Sequence, residues 1–273
     1  MVNSPAMAVD VLKMWDFGNP SLSEDRFRAA LIDANADDQL ILWTQIARTF
    51  GLRKNFEEAR EVLASVEPRL PEACPEAVVR YWLELGRTYC SPAHAEETQT
   101  DEAKELGRQA YTAAFKAAEG ARLDYLAVDA LHMMTMVDTD PEGQIRWNQS
   151  ALSYLEQSDQ PEVKKWAGSL RNNLGYALHL AGRYGEAIAE YEKSKAAREA
   201  AGNISGARIA RGMIARTLRE MGRLDDALSI QLQLESEFDE AGEPDVYVFQ
   251  ELEQIYRGMG QSAEADRYAA KAR

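Results

Sequence analysis

The chain has 273 residues, 45% of them apolar and 28% charged, a balance that excludes a disordered tail and fits a folded protein. A formal net charge of -14 leaves no dense basic surface to neutralise phosphates, which excludes nucleic acid and an acidic membrane surface as expected partners. Two cysteines, Cys74 and Cys90, cannot form a disulfide framework and show no Cys-x-x-Cys spacing, so a reduced, cytoplasmic setting is expected.

The opening MVNSPAMAVDVLKMWDFG lacks the basic start and unbroken apolar core of a signal peptide, and no later run reaches the apolar length of a membrane span. Ser21 and Glu24 have capping-box spacing, and Phe27, Ala30 and Leu31 follow on one face. They predict a capping helix within an N-terminal segment, residues 1–38. Next come Trp43, Ile46, Ala47 and Phe50, then Phe56, Ala59 and Leu63, closed by Pro71. Such spacing predicts two amphipathic helices in residues 39–73. Trp82, Leu85, Gly86 and Tyr89 repeat the first half in residues 77–119, where SPAHAEETQT delays the second helix to about Ala103.

Residues 123–158 are the weakest copy, with Ala130, Met133 and Met134 in a first helix and Trp147 and Ala151 in a second. The acidic turn Asp138-Thr139-Asp140-Pro141-Glu142 between them reads as a metal-binding loop or, more simply, as the cap and first residue of a helix. Self-similarity is plainest in the next two segments. Leu174, Leu178, Gly182, Ala187 and Gly202 fall on Ile214, Leu218, Gly222, Ala227 and Gly242 at one offset of about 40 residues. In each copy an apolar helix face ends at a glycine suited to a left-handed turn, and a second helix follows. Gly175 is expected to let the partner helix approach, with Leu174, Leu178 and Tyr191 filling the surrounding holes. The periods are residues 164–202 and 206–242, and 245–273 holds a last copy with Leu252, Tyr256, Gly260 and Ala265. Because the chain stops in that copy, its edge at Ala265, Tyr268 and Ala269 is expected to be open, allowing weak self-association beside a monomer.

These residues resemble the tetratricopeptide repeat signature, in which Trp-x-x-Leu-Gly-x-x-Tyr is followed by a small residue, an aromatic and a proline. The fourth and fifth copies resemble the longer repeats of kinesin-light-chain-type and bacterial members. The resemblance implies an all-α, right-handed superhelical solenoid of about six helix-turn-helix repeats, continuous over residues 39–273. It also implies a non-enzymatic scaffold or adaptor that binds a peptide or partner segment in its concave groove, with no cofactor.

On that resemblance, inner-wall positions fall on Gln45 and Arg48, on Arg80, Glu84 and Arg87, and on Asp129 and His132. Further along they fall on Asn172, Asn173, Tyr176 and His179, on Arg208 and Arg216, and on Gln250 and Gln254. Residues placed there are expected to stay outside the core. The adjacent amides Asn172 and Asn173 can donate and accept, which suits a peptide backbone, although exposed asparagines also simply face water. Arg48, Arg87 and Arg216 form a column that suits an acidic or C-terminal carboxylate ligand. Equally, Glu84 and Glu220 stand at pairing distance along the helix from Arg87 and Arg216. His132, amid methionines, reads as a packed residue or as a ligand contact.

No phosphate loop, Gly-x-Ser-x-Gly or His-Glu-x-x-His occurs, and the three histidines lie in different repeats, so no catalytic or metal site is expected. Two other readings stay open. One is a peptide or small-ligand sensor that changes superhelix conformation, and the other is a structural subunit assembling through its ends.

Overall fold

In a computed structural model the described residues are 9–273. The N-terminal stretch read as lacking a signal peptide includes residues 1–8, which lie outside them. The described residues form helices and no strand, and none of these helices is long and apolar enough to cross a membrane. Contacts divide the chain into two compact units, residues 1–139 with 157–160, and residues 140–156 with 161–273.

The first unit holds α1 (Val11–Met14), α2 (Pro20–Ala30), α3 (Ala36–Leu52), α4 (Phe56–Val66), α5 (Pro75–Tyr89), α6 (Asp101–Gly120) and α7 (Asp124–Met133). The second holds α8 (Pro141–Gln157, apart from its last residue), α9 (Ala167–Leu180), α10 (Tyr184–Ala200), α11 (Ile204–Glu220), α12 (Leu224–Ala241), α13 (Val246–Gly258) and α14 (Ser262–Lys271). Residues 123–158, read from sequence as one repeat, are therefore divided between the units.

Helix α2 does not open on the expected capping box. Asn19 is its cap, accepting from the Leu22 amide at 3.1 Å, and Pro20 takes the first turn, where a missing N–H costs nothing. Glu24 is drawn away by Arg28 at 2.7 Å and by Arg53, the residue that caps the end of α3. At α8 the capping expectation holds, since Asp140 accepts from the Gly143 amide at 2.8 Å.

Within the helix pairs, small residues admit rings. A Cβ on Gly86 would stand 2.5 Å from the Tyr111 ring, and one on Gly175 would stand 2.7 Å from the Tyr191 ring. Both tyrosines are completely buried, so each glycine sets the approach of two helices. Turns after helices of the second unit use Gly182, Gly202, Gly222, Gly242 and Gly260, all at positive φ. Lys54 and Arg122 take that conformation in the first unit.

The expected open edge at the end of the chain is not present. Ala265 and Tyr268 are buried, because α14 folds its apolar stripe back onto α13. Tyr268 stacks on Tyr256 at 5.6 Å, and its hydroxyl donates to Glu235 Oε2 at 2.7 Å.

Candidate functional site

The predicted inner-wall residues behave differently in the two units. In the first they are largely core, which corrects the expectation that they would stay outside it. Gln45 is fully buried and its Oε1 accepts from Trp15 Nε1 at 2.9 Å. Trp15 stacks on Phe17, and the Arg48 guanidinium lies over both rings at 5.5 and 5.4 Å. The segment around α1 thus covers this part of α3.

Arg87 is clamped between two carboxylates. It donates to Glu84 on its own helix at 2.6 Å and to both oxygens of Asp129 on α7 at 2.6 and 2.8 Å. Arg48 adds a longer contact with Glu84 at 3.6 Å, and Arg80 is held by Glu76 at 2.8 Å. Burial alone would raise the Asp129 pKa, but the Arg87 and Arg48 charges outweigh it and hold the group below the usual carboxylate range. His132 is pushed down chiefly by burial, which keeps it neutral, with Asp129 opposing. Arg48 and Arg87 are therefore neutralised inside the unit, and the basic column read from sequence is not a free one.

In the second unit, α9, α11 and α13 end at Gly182, Gly222 and Gly260, which sets a common register. Ten residues before each glycine stand Asn172, Gly212 and Gln250, and six before stand Tyr176, Arg216 and Gln254. Tyr176, Gln250 and Gln254 are exposed, while Asn172, Asn173 and Arg216 are half-buried. His179 is buried, and its Nδ1 lies 2.9 Å from Thr217 Oγ1, so it ties α9 to α11 rather than facing outward. Its pKa is lowered by burial and then by Arg216.

A groove of about 810 Å³ opens among α11, α12 and α13. Its apolar walls include Leu234, Phe238 and Val248, and Ile209 and Tyr247 stand exposed at its edge. The space reflects two shorter side chains. Gly212 occupies the place of Asn172 one repeat earlier, and Gln231 occupies that of Tyr191. A Cβ on Gly212 would meet nothing closer than Leu234 Cδ1 at 3.9 Å.

Most charges around the groove are already matched. Arg208 and Arg211 hold Glu237, and Arg219 holds Glu251 at 2.9 Å. Arg216 reaches Glu251 only at 4.0 Å, and its buried Nε has no hydrogen-bond partner; Glu220, the partner suggested by spacing, is taken by Arg219. Gln231 Oε1 is also buried and unpartnered, as are Asn172 Oδ1 and Tyr191 Oη. Sequence reasoning missed Ile209, Gly212, Gln231 and Tyr247. The 40-residue alignment carried the signal, since it sets a glutamine against a core tyrosine and a glycine against Asn172.

Among the described residues no group of three or more His, Cys, Asp or Glu side chains is placed to hold a metal. Stacked helix pairs with a repeating register define an all-α repeat protein of the solenoid class. Residues 166–236, which run from α9 into α12, match the family model of the tetratricopeptide repeat.

Comparison with curated proteins gives no match. Among solved structures the chain is similar to the apo form of RapI, with a TM-score of 0.69, 12% identity, and 96% of this chain and 75% of that one covered. It is also similar to PilW, a type IV pilus biogenesis factor, with a TM-score of 0.58, 16% identity and coverages of 87% and 93%. Aspartyl phosphate phosphatase F from Bacillus subtilis aligns with a TM-score of 0.56, 16% identity and coverages of 96% and 77%. At these identities the likeness is one of fold.

Proposed function

We propose that the chain is a non-enzymatic protein-interaction scaffold that takes an extended peptide or partner segment along the inner face of α9, α11 and α13. The observation that carries this reading is the groove of about 810 Å³ among α11, α12 and α13, with Ile209 and Tyr247 exposed at its edge. An exposed apolar edge beside a groove favours covering by a partner segment, and the exposed amides Gln250 and Gln254 can donate to and accept from its backbone. Asn172 and Asn173 would engage that backbone, Tyr176 would pack beside it, and Arg216, whose contact with Glu251 is 4.0 Å, would supply positive charge.

In the first unit, Arg48, Arg87, Asp129 and His132 would contribute by holding helices α3, α5 and α7 in place, since their charges and ring are enclosed. Selection of a displayed peptide library on the native chain and on an Asn172→Ala/Asn173→Ala variant tests the proposal. Recovery of binders by the native chain and their loss from a folded variant would support it. Equal recovery by both would move binding to another surface.

A further inference from the structure

We infer that the groove among α11, α12 and α13 receives a segment of a partner protein in which bulky apolar side chains stand next to lysine or arginine. This rests on the proposed peptide-binding role and names the class of segment the groove selects. Leu234, Phe238 and Val248 give the groove apolar walls, and the apolar surface continues outward to Ile209 and Tyr247, 54% and 78% exposed. Large apolar groups left in water beside an open groove are covered when a partner's apolar side chains enter it.

Charge decides what accompanies those side chains. Residues 235–245, which end α12 and cap α13, hold Glu235, Glu237, Asp239, Glu240, Glu243 and Asp245 and no lysine or arginine. Phe238 and Asp245, both inside that run, line the groove, so the acidic corner borders it. Lys271 neutralises Glu235 at 2.7 Å, and Arg208 and Arg211 neutralise Glu237. The other four carboxylates are not matched in this way. Glu240 accepts from the Ser236 hydroxyl and Asp245 from the Tyr247 and Val248 amides, none of them a cation, while Asp239 and Glu243 stand exposed.

The guanidiniums of the lining are already opposed. Arg208 lies over the Phe238 ring at 4.7 Å while holding Glu237, and Arg216 faces Glu251 at 4.0 Å. Groove and corner together therefore complement a segment that is both apolar and positively charged, and the net charge of -14 steers such a segment toward the chain. An acidic segment would meet the same corner with like charge.

The test is selection of a phage-displayed random heptapeptide library on the full chain at about 50 mM salt, where charge contacts are weakly screened. The selected peptides are then titrated on the native chain and on Asp239→Asn/Glu240→Gln/Glu243→Gln, Gly212→Leu and Asn172→Ala/Asn173→Ala variants. The triple substitution nearly keeps side-chain shape and removes negative charge near the end of α12, where the helix dipole disfavours it, so the fold should persist. Gly212→Leu puts a side chain into open space on the groove side and a better helix former on α11, and an unchanged or raised Tm would show its fold intact. The inference expects lysine or arginine close to leucine, isoleucine, methionine or phenylalanine in the selected peptides, and loss of their binding to Gly212→Leu. Binding to the triple variant should be about tenfold weaker, a difference that shrinks at about 500 mM salt. Selected peptides without basic residues, or equal affinity for the native chain and the triple variant at low salt, would overturn the inference. If such binders were still lost from the double asparagine variant, the peptide-binding reading would stand. Self-association of the native chain that Gly212→Leu abolishes would assign the groove to a second copy and overturn the inference. Recovery of no peptide by any form would overturn both.

Discussion

Arg87 on α5 and Asp129 on α7 form a two-pronged ion pair at 2.6 and 2.8 Å, and their side chains are only 13% and 8% exposed. The pair joins first helices of successive repeats on the face where a ligand was expected. A buried guanidinium needs a carboxylate partner, and here the chain provides both. The first unit thus spends its inner-face charges on its own cohesion.

Removing one member should leave the other buried without its partner. Arg87→Met is expected to destabilise the protein by about 3–5 kcal/mol, because Asp129 and Glu84 would stay buried without their main partner. An Arg87→Met/Asp129→Leu double variant should recover part of that loss. Chemical denaturation of the three forms would measure it, and additive losses would contradict the pairing.

Two glycines on neighbouring repeats should respond in opposite directions. Gly175→Ala forces a Cβ into the Tyr191 ring and is expected to cost about 1–3 kcal/mol. Gly212→Ala meets no close neighbour and should stabilise its helix by about 0.5–1 kcal/mol. Thermal unfolding of both variants against the native chain would show the contrast.

Turn chemistry makes a third case. Lys54 holds a φ of 66°, in the region that disfavours side chains, so Lys54→Gly should raise stability by up to about 1 kcal/mol. Gly222→Ala, at a φ of 74°, should lower it by a similar amount. Matched denaturation curves would check the two signs.

Acid should weaken the fold before the carboxylates titrate. Burial lowers the pKa of His94, His132 and His179 below the ordinary 6.5. Each favours its neutral form when folded, so its contribution is fully present above pH 6.5 and is lost as pH falls through the lowered folded value. Tm should therefore fall as the pH drops below about 6.5, and His132→Gln should flatten that fall. Asp129, also held low, adds its loss only below the carboxylate range.

The repeat architecture was legible because the second unit writes its turns in glycine. Gly182, Gly202, Gly222, Gly242 and Gly260 punctuate helices whose apolar faces have plain periodicity. The first unit was harder, since Lys54 and Arg122 make the same turns without the residue that announces them. The burial of Glu84, Arg87 and Asp129 could not be read because their partners are brought together only by stacking. Asn172, Asn173 and Tyr176 are proposed from their place in the repeat, and the fold leaves the first two half-buried and the third exposed. Gln231 was missed because it lies on a second helix, where the register predicted core.

Hydrogen exchange of the full chain with and without a peptide selected on it addresses the binding claim most directly. The account predicts slowed exchange confined to α9, α11 and α13, with little change in α3, α5 and α7. Protection concentrated in the first unit, or on α10, α12 and α14 alone, would contradict it.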